Sequence, residues 1–596
     1  MSKKRDAIDQ ETSSSTSTED ASARSKKHKA MNSSDDVFAD SLRIGGLWQE
    51  YKKEYEKAAP YPHIKLEPLC NEALFESVRN EIVGNLRTKY KETDLFKLYQ
   101  TTDLANIDSS QPELSRKLPS LLKLRDALYS KKFREFVSRV TGCPTLTDRV
   151  DMAASAYSDG CHLLCHDDVI GTRAVSYIIY FVEPEWTAED GGALELYPLV
   201  PSSVVINSDS NLPQGLPAAN PAKKLVPAWN SMAMFNVQPG RSYHSVEEVH
   251  RKNCTSPRLS IQGWYHAPTA PKGAEMASIN QLKTLARLNA TALRTQAESN
   301  QRNNMMGQSW ELSNSDVSFL KEYINPIYLE KGAIDKISDK YINNSYVELR
   351  NFLNAKTATE IASKLFSGEC DVLKDDNWKL QGPAHVNRFL QYCPKNSGNT
   401  KNELQQRFIL DHIDSNVFNS ISFRKFIHVL TGESKPTNSD NRSIVRCFRK
   451  GNDYTVAHHG LLLPSGDTRL DCNLCFVDDG SFRSKSQQTS DLTGGTEAHD
   501  NAIEWESGER GGFECYIAAD NEENEAAEVY KDDDEDEDGG IVLSISPTFN
   551  TLTLTLRDDG TMRFIKYVSS NAPSNRFDIA TSYCVEYSDD EDETTE

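Results

Sequence analysis

The spacing of apolar and polar residues divides the chain into a helical beginning and a long series of short strands. Apolar residues recur at intervals of three and four over residues 37–55, 72–86 and 118–141, which predicts three amphipathic helices. Short β-branched, aromatic and small-residue runs separated by turns then follow, at residues 152–157, 174–182, 193–197, 231–237 and 258–264. Such a succession of short strands is typical of a jelly-roll barrel.

The second half of the chain repeats the first. The segment FREFVSRVTG, which ends at Gly142, recurs as FRKFIHVLTG, which ends at Gly432. Three later features also recur: Tyr157-x-x-Gly160 as Phe448-x-x-Gly451, the pair Gly191-Gly192 as Gly511-Gly512, and Arg258 as Arg576. The predicted fold is therefore α+β and mainly β, with two tandem double-stranded β-helix (jelly-roll) domains and packed helices.

Composition suggests where these domains begin and end. Residues 1–35 are rich in Ser, Thr, Lys and Asp and are expected to be disordered. The first barrel with its helices is assigned to residues 36–268, and a polar linker with one helix at 278–296 is assigned to 269–315. The second barrel takes residues 316–596, with an acidic insertion at 532–538 and an acidic tail.

Charge and cysteine content narrow the class of protein. The 596 residues carry a net charge of −21, from 88 acidic and 67 basic side chains, which argues against general nucleic-acid binding and suits a basic protein substrate. No apolar run is long enough to span a membrane, and no secretory signal is expected. The 12 cysteines show no regular framework, which favours free thiols in a reducing compartment.

The strand region carries one set of residues typical of metal chemistry. His166-x-Asp168 is followed by His244 at the end of a later strand, and two His with one carboxylate form the facial triad of non-haem Fe(II) oxygenases. Arg258 follows on the next strand, with Ser260 on the same face. Its planar guanidinium matches the distal carboxylate of a 2-oxoacid, so the set predicts an oxygenase that uses Fe(II), 2-oxoglutarate and O2.

Two further patterns test how specific this set is. A second H-x-D triplet, His412-x-Asp414, lies in a helical pattern over 408–430, where i and i+2 do not share a face, so His412 is predicted to be a helix-surface residue. In the second half, the repeat places Ala457 and His459 at the positions of His166 and Asp168, and Phe564 near that of His244. The second barrel is therefore predicted to be non-catalytic.

The motifs around the triad, HDDVIGTR from His166, SYIIY up to Tyr180, GGAL and RLSIQGWYH from Arg258, resemble the eukaryotic ribosomal prolyl 3,4-dihydroxylases over about residues 40–596. The resemblance implies His166, Asp168 and His244 as iron ligands, with Arg258, Tyr157, Tyr180 and Ser260 holding 2-oxoglutarate. It also implies L-ascorbate as a cofactor and hydroxylation of one proline of a small-subunit ribosomal protein, singly or twice, at carbon 3 or 4. A nuclear and cytoplasmic location is implied as well, and translation-termination factors become candidate partners of the second barrel.

Other interpretations of the site and of the charged segments remain open. Another 2-oxoglutarate oxygenase activity, such as demethylation of nucleic acid, would use the same triad, and a non-enzymatic scaffold would use both barrels for protein binding. Basic clusters at residues 3–5 and 24–29 favour a nuclear localisation signal over a merely solvated tail. The acidic run at 532–538 is either a docking site for a basic partner or a solvated loop.

Overall fold

A computed structural model describes residues 37–43, 48–200, 215–252, 256–275, 310–368, 370–394, 408–432, 435–437, 443–480, 505, 510–519 and 541–586. The predicted disordered tail, the helix at 278–296 and both acidic segments lie outside these residues. Here the first half means residues 37–275 and the second half means residues 310–586.

The first half contains an 11-stranded antiparallel sheet that curls around an apolar interior. Its strands are β1 His63–Leu66, β2 Lys89–Glu92, β3 Phe96–Gln100, β4 Met152–Tyr157, β5 His162–His166, β6 Arg173–Tyr180, β7 Leu194–Leu196, β8 Lys223–Leu225, β9 Ser231–Asn236, β10 His244–Val246 and β11 Arg258–His266. They are ordered β1-β9-β6-β11-β4-β3-β5-β10-β7-β8, with β2 beside β3. All five strand runs predicted from the sequence are present, with bounds shifted by one or two residues.

Helices cover the outer face of this sheet. They are α1 Asp40–Arg43, α2 Trp48–Lys57, α3 Glu72–Asn85, α4 Ile107–Ser110, α5 Pro112–Ser115, α6 Pro119–Leu128 and α7 Lys131–Thr141. The apolar face of α7 buries Phe133, Val137 and Val140 in a core shared with the sheet. Gly142 ends α7 with φ +69°, as the repeat pattern predicted.

The second half contains a nine-stranded and a three-stranded antiparallel sheet among its described residues. The strands are β12 Tyr346–Arg350, β13 Trp378–Gln381, β14 Asn387–Tyr392, β15 Lys435–Thr437, β16 Ile444–Phe448, β17 Tyr454–Thr455, β18 Arg469–Phe476, β19 Glu514–Ala518, β20 Ile541–Ile545, β21 Thr551–Arg557, β22 Thr561–Ile565 and β23 Arg576–Glu586. Its helices are α8 Asn314–Leu320, α9 Lys331–Asn344, α10 Ala355–Phe366, α11 Ile409–Ile413 and α12 Ile421–Thr431.

The two halves share one strand order. The order of the first half, β1-β9-β6-β11-β4-β3-β5, recurs in the second half as β12-β21-β18-β23-β16-β14, with β17 paired to β14. In the same way, β10-β7-β8 recurs as β22-β19-β20. The register agrees as well, because Arg258 pairs with Tyr157 and Arg576 pairs with Phe448. The chain is mainly β, as predicted, and the internal repeat read from the sequence is also present in the strand pairing.

Three predicted helices differ from the structure, one at its start and two through an internal break. Residues 37–39 are not helical; Phe38 instead bridges to Cys70, and α1 starts at Asp40. The predicted helix 118–141 breaks between Tyr129 and Ser130, because the Ser130 side chain accepts the Phe133 N–H and begins a new helix. The pattern at 408–430 becomes α11, a π-helical turn at Asp414–Phe418 and then α12. Apolar spacing continued across each break because both pieces bury the same face.

The two halves pack directly against each other. Leu95 and Leu164 from the first half meet Tyr454, Val456 and Tyr567 from the second in one buried cluster. Cys165 and Tyr243 meet Ala384 in another. Since Leu164 and Cys165 belong to β5, the strand that carries His166 rests against the second half. Within the described residues, no helix has the length and apolar character needed to cross a membrane.

Candidate active site

The two histidines of the predicted triad face each other on neighbouring strands. His166 at the end of β5 is the register partner of His244 at the start of β10, and their ring centroids lie 4.2 Å apart. Each ring places Nδ1 against the backbone carbonyl two residues earlier, that of Leu164 at 2.8 Å for His166 and that of Ser242 at 2.9 Å for His244. Because a carbonyl only accepts, Nδ1 donates, and Nε2 is the ring atom that faces Asp168 and can bind a metal once it has lost its proton.

Asp168 completes the cluster through an unusual backbone conformation. Its φ of +59° lies in the left-handed region, which non-glycine residues seldom adopt and which concentrates at functional sites. The turn brings its Oδ1 to 3.4 Å from His166 Nε2 and its Oδ2 to 3.3 Å from His244 Nε2. All three ligand atoms lie within 4.8 Å of one another, and all three residues are buried. The structure therefore brings the predicted triad together.

The electrostatics of the cluster keep the carboxylate ionised. Burial alone would raise the pKa of the Asp168 carboxyl, but the charges and hydrogen bonds of His244 and His166 hold it well below its ordinary value. Trp264 Nε1 also donates to Asp168 Oδ2 at 3.0 Å. This residue escaped the sequence analysis, although strand alternation from Arg258 through Ser260 already placed it on the interior face.

Arg258 lies deep inside the same curled sheet, 1% exposed. Its Nε donates to the carbonyl of Gly192 at 2.7 Å, and its Nη1 donates to Ser260 Oγ at 3.3 Å. The guanidinium carbon stands 4.9 Å from the ring centroid of Tyr157 and 5.0 Å from that of Tyr180. Among the described residues nothing accepts a hydrogen bond from Nη2, so one edge of the fork is available to an anion.

Further polar atoms face the interior beside Arg258. Register pairing places Gln100, Ser155, Ser260 and Tyr180 in one row across β3, β4, β11 and β6. Gln100 Nε2, Ser155 Oγ and the Tyr180 hydroxyl are buried and have no hydrogen-bond partner in the described part of the chain. Burial raises the pKa of Tyr180, so its hydroxyl stays protonated and can donate. The sequence analysis missed Gln100 and Ser155 because their place in the row depends on strand pairing.

This donor set fits Fe(II) and 2-oxoglutarate. Two imidazole Nε2 atoms and a carboxylate suit Fe(II), and the open guanidinium edge beside neutral hydroxyls suits a carboxylate. Together with O2, such a centre supplies hydroxylation of an unactivated C–H bond. The donor set is the one predicted from the sequence for Fe(II), 2-oxoglutarate and O2.

The corresponding positions of the second half hold no such cluster, and the strand register corrects the sequence alignment by one residue. Phe96 pairs with Leu163, whereas its counterpart Asn387 pairs with Thr455. Counting on from this pair past the end of β17, His166 corresponds to His458 rather than Ala457, and Asp168 to Gly460 rather than His459. His244 corresponds to Arg563, because Leu196 pairs with His244 as Tyr516 pairs with Arg563. A histidine is retained, but the carboxylate and the second histidine are missing.

Ion pairs fill the interior of the second half instead. Asp578 occupies the position equivalent to Ser260. Its carboxylate accepts a hydrogen bond from Arg576 and two from Arg446, at 2.8 and 2.9 Å. Arg563 contacts Glu514 at 2.5 Å and Asp471 at 3.7 Å. Arg576 thus already has a carboxylate partner where Arg258 has an open edge. These contacts support the prediction that the second half is non-catalytic.

Other candidates are placed as ordinary structural residues. His412 is exposed on α11 and its Nδ1 lies 3.0 Å from Asn416 Nδ2, which confirms the prediction of a helix-surface residue. Cys472 and Cys475 are buried within β18. In the described part of the chain, the His166–Asp168–His244 group is the one cluster of three potential metal ligands.

Two family models match the chain. Residues 152–266 match the 2OG-Fe(II) oxygenase superfamily model, and residues 315–592 match the model described as oxoglutarate and iron-dependent oxygenase degradation C-term. Among solved structures, a Pseudomonas putida prolyl-4-hydroxylase is 18% identical and covers 36% of this chain and 98% of its own, with a TM-score of 0.24.

Curated relatives extend over nearly the whole chain. A prolyl 3-hydroxylase, sudestada1, from Drosophila melanogaster is 28% identical and covers 84% of this chain and 79% of its own. A prolyl 3,4-dihydroxylase, OGFOD1, from Ostreococcus tauri is 36% identical over 542 residues, which cover 88% of this chain and 95% of the relative. The chain therefore belongs to the prolyl 3,4-dihydroxylase family of 2-oxoglutarate- and iron-dependent oxygenases.

Proposed function

We propose that this protein hydroxylates a proline of a small-subunit ribosomal protein, at carbon 3, carbon 4 or both. The observation that carries the proposal is the buried His166–Asp168–His244 cluster in one barrel with the open guanidinium edge of Arg258. The names of the relatives supply the prolyl substrate, and the motif resemblance supplies the ribosomal one. The net charge of −21 suits a basic protein of this kind.

The proposed roles follow from the contacts. His166, Asp168 and His244 bind Fe(II), and Trp264 orients Asp168 through its hydrogen bond. Arg258 binds the distal carboxylate of 2-oxoglutarate, with Ser260, Tyr157 and Tyr180 around it. Burial of the whole group excludes bulk water, which strengthens these charged contacts.

The proposed architecture is two tandem jelly-roll domains, catalytic at 36–268 and non-catalytic at 316–596, joined by a linker at 269–315 behind a tail at 1–35. The shared strand order supports the repeat. L-ascorbate as a cofactor, a nuclear and cytoplasmic location, and translation-termination factors as partners of the second domain belong to the same proposal and rest on the motif resemblance.

The test uses the full-length protein with purified small ribosomal subunits, Fe(II), 2-oxoglutarate and O2. The expected result is succinate together with a gain of one or two oxygen atoms on a proline, detected by peptide mass spectrometry. Asp168→Ala should give neither product, because one charge and one metal ligand are lost. Succinate without any modified proline would contradict the ribosomal substrate and leave the oxygenase chemistry standing.

A further inference from the structure

A buried carboxylate of the first half is held by the second half. Glu248 lies two residues beyond β10 and is 2% exposed. Its side chain accepts hydrogen bonds from the Tyr567 hydroxyl at 3.2 Å, the Ser569 hydroxyl at 2.5 Å and the Ser570 N–H at 2.8 Å. All three donors follow β22 in the second half. Three donors to one buried carboxylate form a specific junction, because losing any of them leaves charge unsatisfied.

The backbone of Glu248 continues this junction into the first barrel. Its carbonyl accepts the Gly192 N–H at 3.2 Å. A Cβ atom on Gly191 would stand 2.0 Å from the same carbonyl oxygen, so glycine alone allows this approach. The carbonyl of Gly192 in turn accepts Arg258 Nε at 2.7 Å, and a Cβ atom on Gly192 would stand 2.5 Å from Arg258 Cδ. Gly191 and Gly192 are therefore clamped between Glu248 and Arg258.

We propose that Glu248 is a positioning residue through which the second half sets the orientation of Arg258 and so the affinity for 2-oxoglutarate. The path has three steps: donors of the second half fix the Glu248 side chain, the Glu248 carbonyl fixes Gly192, and the Gly192 carbonyl fixes the guanidinium. This inference rests on the proposed role of Arg258 as the 2-oxoglutarate carboxylate partner.

The path gives the second half a role in the reaction although its described residues hold no cluster of three potential metal ligands. The junction joins equivalent segments of the repeat, because Gly511 approaches the Tyr567 carbonyl as Gly191 approaches that of Glu248. Coupling of this kind is reciprocal, so 2-oxoglutarate binding must also strengthen the junction. Couplings between sites in proteins commonly change affinity by about fivefold or more, which sets the expected scale.

The test measures the dissociation constant of 2-oxoglutarate directly, by calorimetry on the full-length protein loaded with Mn(II) without O2. Glu248→Gln puts an amide donor against the three donors and should raise that constant about fivefold or more, with little change in Mn(II) affinity. Tyr567→Phe removes one hydroxyl and should act in the same direction, more weakly. Lys566→Met is the matched control, because it breaks a 3.2 Å contact between the halves, to Glu92, that does not reach Gly192.

The outcomes separate the inference from the proposed function. If Arg258→Lys fails to weaken 2-oxoglutarate binding, the proposed role of Arg258 is wrong. If Arg258→Lys weakens it and Glu248→Gln does not, the inference alone is overturned. Equal losses in Glu248→Gln and Lys566→Met, or a parallel loss of Mn(II) affinity, would show general loosening of the interface and would also overturn it. In the wild-type protein, 2-oxoglutarate should slow hydrogen exchange of the Ser570 amide.

Discussion

Trp264 provides a sharp test of how the metal site is built. Its indole N–H donates to Asp168 Oδ2 at 3.0 Å in a fully buried setting, while the Arg173 guanidinium lies 3.5 Å from the centroid of the same ring. Trp264→Phe removes the donor and keeps an aromatic ring beneath Arg173. The carboxylate then loses one charge-assisted hydrogen bond, which contributes about 1.5–3 kcal/mol.

That free energy corresponds to a loss of roughly tenfold to a hundredfold in metal affinity, the range usual for partners of metal ligands. Titration of the apo-protein with Mn(II), followed by paramagnetic resonance of the free ion, measures it. Trp229→Phe is the control, since Trp229 also donates its indole N–H to a carboxylate, that of Glu72, away from the triad. Unchanged Mn(II) affinity in Trp264→Phe, or an equal loss in Trp229→Phe, would refute the reasoning.

Three further predictions concern the co-substrate, the second half and the tail. Arg258→Lys keeps the charge but loses the planar fork, so the KM for 2-oxoglutarate should rise at least tenfold with little change in iron affinity, as steady-state succinate assays would show; an unchanged KM would assign the carboxylate to another residue. Asp578→Asn leaves Arg446 buried without its carboxylate partner and Arg576 with only Glu514 at 3.9 Å, and should lower the unfolding free energy by about 3–5 kcal/mol, measured by denaturant titration. Burial alone would raise the pKa of the Asp578 carboxyl, but Arg446 and Arg576 hold it below its ordinary value. The stability that its charge contributes is therefore complete at neutral pH and should fade below about pH 4. Deleting residues 1–35 should leave activity intact and lower the nuclear fraction of a fluorescent fusion; an unchanged distribution would contradict a localisation signal there.

Much of the catalytic site could be predicted because its residues belong to short patterns in the sequence. His166 and Asp168 are two residues apart, His244 follows the apolar run at 231–237, and Arg258 begins a strand whose alternation places Ser260 on the same face. Each pattern is short and depends on strand periodicity, which the side-chain sequence records directly.

The features that could not be predicted depend on contacts between distant segments. Glu248 meets its partners from Tyr567 to Ser570 across more than three hundred residues, and no local pattern marks it. The alignment of His166 with Ala457 was one residue out, because a repeat fixes matching glycines but leaves strand register to hydrogen bonding between β14 and β17. Helix breaks such as that at Ser130 were hidden because the apolar face continues through them.

The contacts between the two halves bear on why the chain keeps a second half that is predicted to be non-catalytic. Two explanations compete: recruitment of a basic partner by the acidic run at 532–538, and burial of surface between the halves. The described contacts include a buried apolar cluster around Leu164 and the Glu248 junction, both of which support the structural explanation. Recruitment by residues 532–538 stays a prediction, since that run lies outside the described residues.

The central claim is that His166, Asp168 and His244 bind the iron that consumes 2-oxoglutarate. Its most direct test compares Fe(II)- and O2-dependent succinate formation by the wild-type protein, His166→Ala and His412→Ala, because both histidines begin an H-x-D triplet and His412 is exposed on a helix. We expect wild-type rates for His412→Ala and background succinate for His166→Ala, with folding of both confirmed by circular dichroism. Full turnover by His166→Ala would contradict the assignment of the metal site.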